Sequence, residues 1–155
     1  LRLGQRAEIM SNALRERLAL STMLLVGRDF EVPGHGWRVE SLAARMRVPR
    51  HWLEPVVATL MQQKLLTRTP ENRLIPARDP RRITMMEILD AVRCGEREGP
   101  GAVTSDWSPT IRTIADNLER AISSAVAGYS LADLVEQDLQ ADNADTAAPR
   151  AIGRR

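Results

Sequence analysis

Few side chains in this sequence could do covalent or metal chemistry. The two histidines, His35 and His51, and the single cysteine, Cys94, do not have the spacing of metal ligands. A metal site ordinarily needs three or four converging His, Cys or carboxylate ligands, and an iron–sulfur cluster needs several thiolates. We therefore predict no metal and no other cofactor. Cys94 would be a redox thiol only if a neighbouring cation such as Arg93 or Arg97 favoured its thiolate, so we interpret it as an incidental thiol.

Hydrolytic chemistry would require clustered carboxylates for metal ions, or a histidine pair for acid–base work. Glu96 and Glu98 fall in a Gly-rich stretch. Asp79, Glu87 and Asp90 lie around the start of one predicted helix, where Glu87 already serves a helix cap. We find no catalytic site in these residues and do not predict an enzyme.

The cations are concentrated in the first part of the chain. Residues 1–93 hold 16 Lys/Arg and 10 Asp/Glu, whereas residues 94–155 hold 6 and 10. Arg and Lys contact phosphate, and Arg, Asn or Gln read base edges. The candidates for nucleic-acid contact lie around a predicted third helix and a hairpin: Arg47, Arg50, His51, Gln62, Lys64, Arg68 and Arg73.

The outward face of that third helix argues against a nucleic-acid role. A helix that enters a groove needs cations to approach phosphate, and a carboxylate there costs affinity. Between His51 and Met61 the sequence offers no cation on this face, only Glu54, Pro55, Ala58 and Thr59.

The elements that would position these residues follow the order helix, short strand, helix, helix, hairpin, helix. Pro70-Glu71-Asn72 has turn chemistry, and Thr84 with Glu87 forms a capping box ahead of the last helix. This order predicts a mainly α winged helix-turn-helix domain with a small β hairpin. We expect helices over about residues 11–26, 40–47, 50–63 and 85–93, and short strands over 37–39, 65–69 and 73–77.

A long amphipathic helix is predicted after Ser108, with Pro109 at its first position. Its apolar residues recur at steps of three and four. The stripe either packs on the domain or pairs with a second copy, and we favour pairing because a small domain has little core left to cover it. The candidate dimer residues are Ile111, Ile114, Leu118 and Ile122.

We divide the chain into five parts and predict that it is soluble. Its apolar runs are too short to span a bilayer, which needs about 20 residues, and no signal-peptide pattern is present. Because the sequence begins with Leu1, we expect it to be part of a longer protein. The parts are a linker (1–10), the winged-helix domain (11–93), a flexible loop (94–107), a helical extension for packing or dimerisation (108–139) and a disordered tail (140–155).

Four stretches of the sequence resemble the cytoplasmic tail of the YihY/BrkB family of bacterial inner-membrane proteins, long labelled ribonuclease BN. The most specific is R-D-P-x-x-I-T-x-x-E-I-L, which begins at Arg78. The resemblance implies a parent protein in the inner membrane, with this domain on the cytoplasmic side. The matching stretches are Arg15–Phe30, Ser41–Leu66, Arg73–Arg93 and Ile111–Leu134.

A more distant resemblance is to redox-sensing winged-helix repressors of the iron–sulfur cluster regulator type. It rests on L-E-x-x-x-x-x-L, here Leu53, Glu54 and Leu60. Those repressors have a glycine-rich wing and three cysteines after the following helix. This chain has no glycine over Thr67–Arg73 and only Cys94, so the cluster is not expected.

Two functions follow from these observations. The favoured one is a non-catalytic interaction or regulatory domain of a YihY/BrkB-type membrane protein, acting by self-association or by binding a protein partner. The alternative is a DNA-binding transcriptional regulator with the same fold. In the first case the membrane is reached only through the parent protein's other segments.

Overall fold

The computed structural model describes residues 10–94 and 106–147. The predicted linker and loop therefore lie almost wholly outside the described residues, as do residues 148–155, Glu96, Arg97, Glu98 and the Cys94 side chain. The helices are α1 (Asn12–Asp29), α2 (Val39–Met46), α3 (Arg50–Gln62), α4 (Met85–Cys94), α5 (Pro109–Ala125) and α6 (Leu131–Ala147). Two antiparallel strands, β1 (Leu66–Arg68) and β2 (Leu74–Pro76), form the wing, and a 3₁₀ turn (Pro80–Arg82) follows it.

The helix and strand order confirms the predicted winged-helix fold. α2 and α3 form the helix-turn-helix, and Arg47 takes a left-handed conformation at the turn between them, with φ 56°. Pro49 then precedes α3, and Pro55 is tolerated inside it at the cost of one backbone hydrogen bond. The core beneath these helices is aliphatic, and its largest fully buried side chains are Met23, Leu42, Leu53, Leu60, Leu65, Leu66, Ile83, Ile88 and Leu131.

The wing pairs Leu66 with Pro76 and Arg68 with Leu74. Asn72 supplies the left-handed residue of its turn, with φ 66°, a conformation that Asn tolerates better than most residues. The strand predicted at residues 37–39 is wrong. Only Trp37 pairs there, through one bridge to Leu74, because Val39 already begins α2.

The capping box at the start of α4 is present in both directions. The Thr84 hydroxyl accepts from the Glu87 backbone N–H at 3.1 Å, and a Glu87 carboxylate oxygen accepts from the Thr84 N–H at 2.9 Å. That backbone hydrogen bond, together with the Arg78 guanidinium at 3.2 Å, lowers the pKa of Glu87 below its ordinary 4.5. Ile83 and Ile88 flank the cap as a fully buried apolar pair.

Two helix ends differ from the sequence prediction because α1 and α6 pack on each other. α1 does not stop near Val26 but continues to Asp29, and Gly27 lies inside it. A Cβ at Gly27 would stand 3.1 Å from Val135 Cγ2, so the missing side chain allows α6 to approach closely.

α6 also runs eight residues past its predicted end at Leu139, to Ala147, so the prediction of disorder over residues 140–147 is wrong. The Arg28 guanidinium pairs with Asp138 at 2.6 Å and with Asp142 at 2.8 Å, which fastens this part of α6 to α1. These two carboxylates raise the pKa of Arg28, Asp142 having the larger effect. At the other end, the Leu131 N–H donates to the Ile83 carbonyl at 2.7 Å.

Filling the contact between α1 and α6 should destabilise the fold. We expect Gly27→Leu to lower the free energy of unfolding by about 1–3 kcal/mol, as overpacked sites do, measured by urea denaturation. The matched control is Ala13→Leu, an exposed position in the first turn of the same helix, which should change stability by less than about 0.5 kcal/mol. Equal effects of the two substitutions would show that α6 does not pack on Gly27.

Acid should remove the stabilisation that Glu87 gives to α4. Because its folded pKa is lowered, this stabilisation is fully present above about 4.5, the ordinary value, and is lost as pH falls through the lowered pKa. The Glu87 side chain is 41% exposed, so water screens its charge, and Glu87→Gln should cost only about 0.5 kcal/mol at neutral pH. Urea denaturation across this pH range should show the difference vanish in acid; a difference independent of pH would contradict the charged cap.

Candidate functional site

The structure places an ion-pair cluster at the start of α3, the helix expected to enter a DNA groove. Arg50 Nε lies 2.6 Å from Glu54 Oε1, and its Nη2 lies 3.0 Å from Glu40 Oε1. Two carboxylates therefore pair with Arg50, the arginine in the first turn of α3. The cluster carries a net charge of −1, which is unfavourable next to phosphate.

The remainder of α3 is divided between core and solvent as the sequence pattern predicts. Leu53, Val56 and Leu60 are buried, and Glu54, Pro55 and Ala58 are exposed. Trp52 is only half-buried, with the His51 ring edge-on to it at 6.3 Å. The solvent face of α3 thus offers a carboxylate and apolar atoms between its ends.

The arginines of the wing contact other parts of the protein. Arg68 Nη1 donates to the Asn72 side-chain oxygen at 2.8 Å. Arg73 is half-buried, donates to the Gly34 carbonyl at 3.2 Å and packs beside Gly36, where an added Cβ would stand 2.5 Å from Arg73 Cδ. Arg73 therefore fastens the wing to the loop between α1 and α2.

Sequence reasoning did not single out Arg38, which also joins the wing to the segment before α2. Here the donor belongs to that segment and the acceptor to the wing. Arg38 Nη2 donates to the Glu71 carbonyl in the wing turn at 3.2 Å. Nothing in the sequence spacing connects these residues, which lie 33 positions apart.

The remaining candidate contacts are exposed but separated. Arg47 precedes α3 and Lys64 follows it, both in left-handed conformations, with Gln62 at the last turn of the helix. Arg47 lies at one end of this helix of 13 residues, about 20 Å long, and Gln62 and Lys64 lie at the other, so the three do not form one cluster.

A second surface, which we call the apolar face of α5, consists of Ile111, Ile114 and Leu118 on that helix and of Trp107, two residues before its start. These side chains are 50%, 59%, 58% and 60% exposed, and α5 has no buried residue. Ile122, the fourth predicted dimer residue, is half-buried at the far end. The prediction did not include Trp107, which precedes the N-cap Ser108 and is therefore outside the helix whose spacing was analysed.

An arginine of α4 links α5 to the rest of the domain. Arg93 Nη2 lies 3.1 Å from Glu119 of α5, and its Nε lies 3.3 Å from Glu16 of α1. The Arg93 side chain is 23% exposed, so these contacts are less screened than open surface pairs. The exposed apolar face of α5 is therefore presented on a helix held partly by charge.

These features define a winged-helix domain. The arginine at the start of its third helix is paired with two carboxylates, and the apolar face of its added helix α5 is exposed. The chain is 32% identical over 135 residues to a UPF0761 membrane protein of Rhodospirillum rubrum, a YihY/BrkB-family protein. The match covers 81% of this chain but only 28% of the relative's length. The predicted resemblance to the YihY/BrkB family is confirmed over that part.

Solved structures confirm the more distant resemblance at the level of fold. CymR, the global cysteine regulator of B. subtilis, matches with a TM-score of 0.59 and 21% identity, covering 79% of this chain and 93% of that one. IscR of T. potens matches with a TM-score of 0.60 and 18% identity, covering 97% of each chain. No protein-family model matches the sequence.

Across the described residues, none of the helices is both long enough and apolar enough to cross a bilayer.

Freeing Arg50 should make the α3 surface bind DNA more tightly. We expect the wild-type chain to bind a fluorescent random duplex weakly, and Glu40→Gln/Glu54→Gln to bind it more tightly, with a slope of log K against log salt steeper by about one. Fluorescence anisotropy at several salt concentrations measures both.

The control, Glu136→Gln/Asp145→Asn, removes the same charge from α6 and should leave the affinity near the wild-type value. Tight binding by the wild type, or equal gains in both variants, would contradict the view that the two carboxylates mask Arg50.

Proposed function

We propose that this chain is a non-catalytic interaction domain of a YihY/BrkB-type membrane protein, located on the cytoplasmic side of the bacterial inner membrane, and that it self-associates through α5. The observation that carries the proposal is the uncovered face of Trp107, Ile111, Ile114 and Leu118. Isolated apolar side chains on a surface are ordinary, whereas three along one face of a helix with a tryptophan just before it are typical of an interaction site.

The spacing of this face favours a second copy of α5 as its partner. Ala121 and Ala125 continue the alternating steps of four and three after Leu118, so the seam extends along the whole helix. Covering the exposed half of a large apolar side chain contributes about 1 kcal/mol. Eight such side chains in a pair are comparable with the cost of association, about 4–15 kcal/mol, so we expect a dimer of micromolar affinity.

The polar face of α5 argues against direct insertion into a membrane surface. Helices that lie on anionic membranes carry an excess of Lys and Arg. α5 has two arginines, Arg112 and Arg120, and two carboxylates, Asp116 and Glu119. Its balanced charge gives no attraction to anionic lipid.

The alternative proposal is a DNA-binding transcriptional regulator. It is favoured by the winged-helix fold, which the chain shares with CymR and IscR, and by the exposure of Arg47, Lys64 and Arg68. Against it stand the two carboxylates on Arg50 and the use of Arg73 in fastening the wing. Fold similarity alone does not decide between the two because winged helices also bind proteins.

Charge placed in the α5 seam should abolish self-association. We expect the wild-type chain, 17.3 kDa, to sediment with about twice its monomer mass at tens of micromolar, and Ile114→Glu/Leu118→Glu to sediment as a monomer. Analytical ultracentrifugation over a concentration series measures this.

The matched control is Thr113→Glu/Ser123→Glu, which adds the same two charges on the opposite side of α5 and should stay dimeric. A monomeric wild type, or equal dissociation of both variants, would contradict the proposed self-association through α5.

A further inference from the structure

A groove between α1, the 3₁₀ turn and α6 is the second place where large apolar side chains meet solvent. We call it the α1–α6 groove. Phe30 and Leu139 line it, each 43% exposed, together with Val135 and Pro80. Its volume is about 290 Å³, and at Phe30 and Pro80 it continues into a wider depression of about 570 Å³. Both depressions are open to solvent, which suits a peptide lying along the surface better than an enclosed small molecule.

The wall that α6 contributes is acidic. Within its 17 residues α6 has five carboxylates and no Lys or Arg. Three are already used: Asp133 accepts from the Ser130 backbone N–H at 2.9 Å, and Asp138 and Asp142 hold Arg28. Glu136 lies on the groove, and within the described part of the chain it forms no ion pair within 4 Å.

The opposite wall carries a second carboxylate. Glu31 follows Phe30 at the end of α1 and lines the groove. The one cation of the 3₁₀ turn that lines this depression, Arg81, is paired with Asp79 at 3.0 Å and acts on Glu31 only at longer range. That pairing lowers the pKa of Asp79, which therefore stays ionised. Glu31 and Glu136 thus flank an apolar floor, while the arginine that lines the same groove, Arg28, is already paired with Asp138 and Asp142.

We propose that the α1–α6 groove binds a cationic peptide segment with a bulky apolar residue. The apolar residue would lie between Phe30 and Leu139, and Lys or Arg side chains on either side of it would meet Glu31 and Glu136. Resting on the proposed function, the occupant is a Lys/Arg-rich segment beside a transmembrane helix, because such segments are enriched on the cytoplasmic face of membrane proteins.

The same charges exclude other occupants of this surface. Nucleic acid and anionic lipid would be repelled by Glu31 and Glu136. The α5 helix of a second copy has equal numbers of acidic and basic residues, and its apolar face complements another α5. A cationic segment with an apolar residue complements both the apolar floor and the carboxylates that flank it.

Peptide binding to the whole chain tests the proposal. The probe is a fluorescein-labelled peptide, Arg-Lys-Leu-Leu-Lys-Arg, titrated with protein and followed by anisotropy. We expect saturable binding in the range of tens of micromolar that weakens as salt rises, and none for the same peptide with Glu in place of every Lys and Arg. Failure of the cationic peptide to saturate at millimolar protein would overturn the proposal.

Variants locate the binding. Glu31→Gln/Glu136→Gln and, separately, Phe30→Ser should each weaken binding at least five-fold while keeping the wild-type thermal melting temperature within a few degrees. The charge-matched control, Glu71→Gln/Asp145→Asn, removes carboxylates outside the groove lining and should bind as the wild type does. Equal affinity in all of these variants would show that the peptide binds elsewhere.

One further variant separates this proposal from the proposed function. Ile114→Glu/Leu118→Glu, which should not self-associate, should still bind the peptide. If the wild type is monomeric and the groove variants still bind the peptide more weakly, the groove proposal is supported and dimerisation through α5 is contradicted. If the chain dimerises and no groove substitution changes the peptide affinity, dimerisation through α5 is supported and the groove proposal is contradicted.

Discussion

The buried face of α1 is the constraint on which the rest of the structure depends. Leu18, Ala19, Met23 and Val26 are at most 3% exposed, and α3, α4, α6 and β2 all pack on this helix. With 3% aromatic residues, the core gains its contacts from closely approaching aliphatic groups rather than from large rings. α5 is the exception among the helices that the structure describes: none of its residues is fully buried, so Ile111, Ile114 and Leu118 remain exposed.

Elements specified by neighbouring residues could be predicted from the sequence, whereas those specified by distant ones could not. The capping box of Thr84 and Glu87 and the wing turn at Asn72 act within four residues, and the structure reproduces both. The extension of α6 depends on Arg28, which is 110 positions from Asp138. Gly27, an ordinary helix-ending residue in the sequence, is the point where α6 approaches α1, and only the packed structure shows this.

The cations of the helix-turn-helix show a similar division. Their positions can be taken from the sequence, but their pairing decides what they can bind. The spacing from Arg50 to Glu54 is the i,i+4 spacing of a helical ion pair and could have been recognised. Glu40 comes from another helix, and the contact of Arg73 with Gly34 joins wing and loop. A fold widely used on DNA can therefore present a surface with little free positive charge.

Arg93 gives α5 a mode of attachment unlike that of its neighbours. One guanidinium joins Glu119 of α5 to Glu16 of α1, so an ion-pair bridge adds to the limited apolar contact that α5 makes with the rest of the domain. Closely packed helices resist reorientation, whereas an ion pair is weakened when salt screens its charges. In a pair joined through α5, the ion pairs of Arg93 would connect the shared helices to each winged helix, so the angle between the two domains would depend on salt concentration.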